Sequence, residues 1–156
     1  MIYHELYLEV VDLLVRSCHA LDTDRLEQWV EFFAPDCEYK VITLENIQQG
    51  LPAGILMCTG VDMLKDRILY VRKAAVFNPH QDRHVISQPV IDVDGENLRS
   101  RTAFAIYQSE PDRESRLFAV GHYDDRIVRT AAGLKLSSRI VVLDNNSIMP
   151  LLCSPI

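Results

Sequence analysis

The stretch Trp29-Val30-Glu31-Phe32-Phe33-Ala34-Pro35-Asp36-Cys37-Glu38-Tyr39-Lys40-Val41 constrains the fold more than any other part of this chain. It reads as the end of an amphipathic helix, a Pro-Asp turn and the first strand of a sheet. Pro35 cannot continue a helix, and it pushes the preceding residue toward extended geometry. Such a junction is an entry into a cone-shaped α+β domain, in which a curved sheet wraps around helices. It says more about fold than about function.

The rest of the chain agrees with that entry. From Ile2 to Ala20, the residues Leu6, Val10, Leu13, Leu14 and Ser17 recur at helical spacing, and Leu21 continues the face. Asp22 or Thr23 is placed to cap a second helix, with Leu26, Trp29, Val30 and Phe33 inward. A strand is expected over Cys37–Thr43, then a loop from Leu44 to Pro52 and a short strand over Ile55–Cys58. After Gly60, the residues Val61, Leu64, Ile68, Val71 and Ala75 step by three and four, which predicts a third helix ended by Asn78-Pro79. Beyond it the helical period vanishes. His84–Val93 reads as extended, Asp94-Gly95 as a hairpin turn and Leu98–Ser109 as its return strand. Arg116–Arg129 and Leu134–Leu143 form a last hairpin around Gly133. Helices first and hairpins later mean α+β with a mostly antiparallel sheet, in one domain over residues 1–156.

Composition narrows the function. At 156 residues and 48% hydrophobic content the chain can bury a core. A net charge of −6 argues against a nucleic-acid partner, which calls for clustered Lys and Arg. No apolar run is long enough to span a bilayer, and the N-terminus lacks the pattern of a signal peptide, which points to the cytoplasm. Cys18, Cys37, Cys58 and Cys153 are scattered without metal-site spacing and read as reduced thiols, mostly buried.

The search for chemistry yields little. His4, His19, His80, His84 and His122 form no helical pair with an acid, and no paired Cys-His motifs suit an iron–sulfur cluster. Asp92-Val93-Asp94-Gly95-Glu96-Asn97 is too short for a calcium loop. There is no glycine-rich phosphate loop and no nucleophile elbow. What remains is acid–base chemistry inside the cone, with His84, Tyr39 and Asp36 as the principal candidates and His122 and Tyr123 beside them. Two features suit assembly instead. One register of the strand over 99–107 carries Arg99, Arg101, Ala103, Ala105 and Tyr107, as either a contact face or an ordinary solvated face would. The tail after Asp144 is apolar and uncharged, and such residues are usually covered: it either folds back on its own domain or packs on a neighbour, the neighbour being preferred.

Four segments carry a resemblance. They are Trp29-x-x-Phe32-Phe33-x-x-Asp36-Cys37-x-Tyr39, Met63-Leu64-x-x-Arg67-Ile68, Asp82-Arg83-His84-Val85-Ile86, and Leu134-Lys135-Leu136-x-x-Arg139-Ile140-x-x-Leu143-Asp144. In their order and spacing the chain resembles the small (β) subunit of aromatic ring-hydroxylating dioxygenases. It is most similar to the shorter members, whose enzymes act on aromatic carboxylates such as terephthalate, salicylate or anthranilate. The resemblance implies the cone fold shared with nuclear transport factor, scytalone dehydratase and ketosteroid isomerase. It also implies a mostly structural chain with no catalytic, cofactor or metal residues of its own. The partner is then a large (α) subunit, often three of each, which carries a Rieske [2Fe–2S] cluster and a mononuclear non-haem iron. A reductase, sometimes with a ferredoxin, would deliver electrons from a nicotinamide cofactor through that large subunit. The alternative is a stand-alone isomerase or dehydratase that uses His84 with Tyr39 or Asp36 as an acid–base set.

Overall fold

A computed structural model describes residues 2–75, 77–146, 152 and 154–156; for Ile2 it describes the backbone alone. Four helices and seven strands follow in the order α1 (Ile2–Asp22), α2 (Leu26–Val30), β1 (Phe33–Thr43), α3 (Leu44–Gln48), β2 (Leu56–Thr59), α4 (Val61–Lys73), β3 (Gln81–Ile86), β4 (Val90–Asp94), β5 (Asn97–Ser109), β6 (Arg116–Thr130) and β7 (Gly133–Leu143). One sheet runs β2-β1-β7-β6-β5-β3, and β4 adds to β5 beside β3. Every pairing is antiparallel except β1 with β7. This is the expected α+β cone with a mostly antiparallel sheet.

The apolar spacing read from α1 is the face it buries: Val10, Leu13, Leu14 and Ser17 are inaccessible or nearly so. Leu64, Ile68 and Val71 do the same for α4. Between these helices and the sheet, Trp29, Phe33 and Tyr39 pack edge to face, with ring centroids 4.8 to 6.0 Å apart. Such edge-to-face pairs add stabilisation beyond the area they bury.

The end of α1 departs from expectation. Neither Asp22 nor Thr23 caps the second helix. Asp22 is the last residue of α1, and the Thr23 hydroxyl donates back to the His19 carbonyl. Asp24 then takes a left-handed conformation (φ 56°), and Arg25 N–H bonds the Ala20 carbonyl, six residues closing on one. That is a Schellman stop with Asp where Gly is usual. Arg72 holds the corner by bonding the Asp24 carboxylate and carbonyl and both oxygens of Glu27.

Pro35-Asp36 is a second correction. The chain does not leave regular structure there, because β1 already begins at Phe33. The register against β7 slips instead, from Phe33 opposite Leu136 to Glu38 opposite Ser138. Five steps along β1 match two along β7, so the proline sits in a bulge, where a missing N–H costs no ladder bond. Two smaller differences concern connections. The loop after Thr43 contains the short helix α3, capped by the Thr43 side chain. The extended run from His84 to Val93 breaks after Ile86, and β3 and β4 pair with different halves of β5.

Of the apolar tail, Leu152 and 154–156 are described, and they fold back on this chain's own domain. Ile156 joins the core at 1% exposure. Arg67 donates to the Leu152 carbonyl (3.0 Å), and the Tyr39 hydroxyl donates to the Ile156 carbonyl (2.8 Å) and accepts from its N–H (3.0 Å). The aromatic ring of Tyr39 offered a polar handle at the core edge, and the tail uses it. Ile148, Met149, Leu151 and Cys153 lie outside the described residues.

Candidate functional site

The acid–base candidates are not gathered into one constellation. Tyr39 is inaccessible, its hydroxyl is spent on Ile156, and burial pushes its pKa well above the ordinary tyrosine value. Asp36 is exposed in the β1 bulge. His122 lies on the outer face of β6, opposite Ala103 and Val142. Tyr123 faces inward, stacked on Phe104 (4.6 Å) and covered by the Arg139 guanidinium at 4.2 Å.

His84 does have a carboxylate partner, one that sequence reasoning assigned to a different job. The Asp22 carboxylate accepts from the His84 backbone N–H (3.2 and 3.0 Å) and sits 2.5 Å from its Nδ1. Both side chains are buried, at 1% and 6% exposure. With the carboxylate accepting, Nδ1 carries the proton and Nε2 presents its lone pair in the neutral ring. Nε2 is buried and has no hydrogen-bond partner. Histidine and aspartate lie in the wall of a cleft of about 390 Å³, between the end of α1, the end of α4, the 77–82 segment and the tail.

The second buried polar centre is Arg139 with Asp125, opposed on β7 and β6. Both are fully inaccessible and joined by two parallel bonds of 2.9 and 2.8 Å. Arg139 also donates to Ser17 on α1 (3.3 Å). Burial raises the Asp125 carboxyl while Arg139 pulls it back down. Burial alone would lower the Arg139 pKa, yet Asp125 outweighs it and the guanidinium stays charged. The pair ties sheet to helix and faces no described cleft, which makes it a structural fixture. Sequence patterning hinted at it only as two charges on inward positions of otherwise apolar strands.

Cys18, Cys37 and Cys58 are buried and free, and burial raises each thiol, so none is a ready nucleophile. Among the described residues no three or more His, Cys, Asp or Glu side chains are placed to hold a metal ion. Likewise no described helix is long and apolar enough to cross a membrane. On the outer sheet face, Arg99, Arg101, Ala103 and Tyr107 are exposed and Ala105 half-buried, as their alternation predicts. Asp124 receives two bonds from Arg99 (3.0 and 2.7 Å), with Arg101 at 3.6 Å.

A cone-shaped α+β domain with helices packed on one face of the sheet and an exposed outer sheet face is thus the class that geometry defines. The SnoaL-like domain family matches residues 3–140. The chain is 36% identical to the anthranilate 1,2-dioxygenase small subunit of Burkholderia cepacia, over 96% of this chain and 94% of that one. It is 34% identical to the terephthalate 1,2-dioxygenase terminal oxygenase component subunit beta 1 of Comamonas sp, over 87% and 89%. A crystal structure from Novosphingobium aromaticivorans, assigned as the beta subunit of an aromatic-ring-hydroxylating dioxygenase, superimposes with a TM-score of 0.91 at 34% identity over the whole of both chains. The chain belongs to the SnoaL-like domain family and, within it, to the small subunits of aromatic ring-hydroxylating dioxygenases.

Proposed function

We propose that this chain, as one domain over residues 1–156, is the non-catalytic small subunit of a cytoplasmic oxygenase that hydroxylates an aromatic carboxylate. The observation that carries this reading is the match to the anthranilate and terephthalate dioxygenase subunits over nearly the full length of both partners. The names of both relatives contain an aromatic carboxylate, which supports that substrate class. The partner is a large subunit, in a three-plus-three assembly, that holds the Rieske cluster and the mononuclear iron. A reductase or ferredoxin passes electrons from a nicotinamide cofactor to that large subunit.

The site geometry agrees. The Tyr39 hydroxyl is bonded to Ile156, Asp36 is exposed, and the carboxylate on His84 is that of Asp22, which supports this reading over the isomerase or dehydratase set. What the chain offers a partner is its outer sheet face, where Arg99 and Arg101 flank the small residues Ala103 and Ala105. Small side chains let another backbone approach, and paired charges fix orientation more than affinity.

Expression of the tagged chain with its native large subunit, followed by iron analysis and a visible spectrum, tests the reading. Co-purification of a larger, iron-containing brown chain is the expected result. A colourless, iron-free homo-oligomer that turns over a substrate on its own would overturn it.

A further inference from the structure

We propose that the free edge of β4 is a docking site for an extended strand of a partner chain, one that carries lysine or arginine at alternate positions. Naming the large subunit as the source of that strand rests on the small-subunit reading above; the edge itself does not.

β4 and β5 close on a two-residue turn, Gly95-Glu96, with Gly95 at φ 61° and Asp94 opposite Asn97. Such a hairpin bonds its closing pair, and bonded and unbonded pairs alternate from there. Asp94, Asp92 and Val90 therefore direct their backbone groups to β5, while Val93 and Ile91 direct theirs away from the sheet. No strand follows on that side, because β4 pairs with β5 alone. Among the described residues no turn, loop or cap bonds these outward groups.

The other edges of the sheet are blunted. On β3 the His84 N–H is taken by the Asp22 carboxylate (3.2 and 3.0 Å), and on β2 the Thr59 N–H is taken by the Met63 sulfur (3.3 Å). Native sheets commonly guard their edges, since a free one recruits another strand. β4 instead leaves its edge open and holds two valines in water, Val90 at 67% and Val93 at 49% exposure. A strand added there gains main-chain bonds to Ile91 and Val93 and lies beside both valines.

Side chains select the occupant. Asp92 and Asp94 stand two apart on the outer face, Asp92 across from Arg99, and Glu96 follows in the turn. All three are exposed, and none has an ion pair among the described residues; Arg99 is bonded to Asp124 instead. A second copy of this chain paired over the whole of β4 would set Asp92 against Asp92, and like charges directly opposite are destabilising. A strand with basic residues two apart, and an apolar residue between them beside Val93, meets both faces of β4 at once. Complementary charge of this kind sets partner choice and register more than affinity.

Amide hydrogen exchange of the full chain, alone and in complex with its large subunit, tests this. The Ile91 and Val93 amides are expected to exchange at least about tenfold more slowly in the complex, as one added hydrogen bond would make them. Val93→Pro removes an N–H that β4 does not share with β5, so the chain should still fold, yet the added strand loses its bond. Affinity for the large subunit should then fall about tenfold. Asp92→Lys keeps the backbone and repels the basic strand, and should weaken the complex too, with a smaller effect at high salt. Melting curves establish that each variant is folded, and if Val93→Pro is not, Asp92→Lys decides. Two end-blocked peptides, Lys-Val-Lys-Val-Lys and Glu-Val-Glu-Val-Glu, probe the edge without the large subunit. The first should shift the Ile91 and Val93 amide signals in NMR, and the second should not. A wild-type complex in which both amides exchange as in the free chain overturns the proposal and leaves the small-subunit reading standing. Failure of the wild-type chain to bind its large subunit overturns that reading instead, and the peptides then decide the edge. A homodimer abolished by Val93→Pro would put a second copy on β4 and overturn the basic strand.

Discussion

Replacing Arg139 with Met tests how the core is held. Arg139 and Asp125 are both fully inaccessible, and their two parallel bonds leave the carboxylate compensated only by that guanidinium. Methionine matches much of the arginine stem but leaves Asp125 alone in the core. Breaking a buried pair from one side costs about 3–5 kcal/mol. The cost depends on pH, and its sign can be worked out. Without Arg139, burial drives the Asp125 pKa further above the unfolded value of about 3.9. Over the interval between those two values the folded variant binds more protons than the unfolded chain, so its stability falls as pH rises. At about 1.4 kcal/mol per pH unit, the penalty at pH 7 should exceed that at pH 4.5 by roughly 2 kcal/mol. Urea unfolding at the two pH values measures it. The double variant Asp125→Leu/Arg139→Met removes both charges and should recover most of the loss, since well-packed apolar replacements of buried pairs are often neutral or better. An Arg139→Met loss under about 1 kcal/mol, or one independent of pH, would refute the view that this pair is ionised and uncompensated by anything else.

Three further outcomes are expected. Tyr39→Phe strips the Ile156 N–H and carbonyl of their shared partner and should cost about 1–3 kcal/mol in urea unfolding, with faster proteolysis of the tail. At Gly121→Ala the new Cβ would fall 1.9 Å from the Val142 carbonyl oxygen, a backbone atom, so β6 and β7 must part; a loss of about 1–3 kcal/mol in melting experiments is expected, and an unchanged melting temperature would contradict it. Arg99 holds the Asp124 carboxyl below its usual range, which adds stability above the unfolded pKa of about 4 and loses it as pH falls through the lower folded value. Asp124→Asn should therefore flatten stability against pH on the acid side, by less than about 1 kcal/mol because Arg99 is more than half exposed, and a steeper acid limb would contradict the assignment.

Local pattern carried the fold further than the site. Period-two alternation in 97–109 and 116–130 marks strands whose inward residues really are Leu98, Phe104, Ile106, Tyr123 and Ile127, and Asp94-Gly95 marks the hairpin that joins the first of them to β4. The same reasoning sees α1 and α4, because a helix that buries one face must repeat it. It does not see that β1 pairs in parallel with β7, some hundred residues away, because such a contact leaves no mark within either strand. Nor does it see the Pro35 bulge, where breaking a helix and interrupting a strand call for the same residue. Asp22 is the instructive miss. An Asp at a helix boundary reads as a cap because capping is the commonest local use of its carboxylate. Here the left-handed Asp24, held by Arg72, ends α1, which frees Asp22 to reach His84 across 62 residues. The tail stays ambiguous for a related reason: exposed apolar residues need a cover, but sequence alone does not say that Tyr39 and the core take Ile156 from within.

The polar groups inside the cone sort themselves by whether their bonds close. Tyr39 closes on Ile156 and Arg139 on Asp125 and Ser17, so both are committed to the fold. An acid–base enzyme needs the opposite, a proton-transfer group facing both an orienting partner and an open volume. His84 has the orienting partner, Asp22 on Nδ1, while its Nε2 is buried without a hydrogen-bond partner, and of the groups that sequence reasoning placed beside it Asp36 is solvent-exposed and Tyr39 is bonded to Ile156. Moving a proton off carbon would also ask for a partner to stabilise the charge that develops. The buried bonds of Tyr39, Arg139 and Asp125 instead hold this chain's own shape, tying the tail to the core and the sheet to α1.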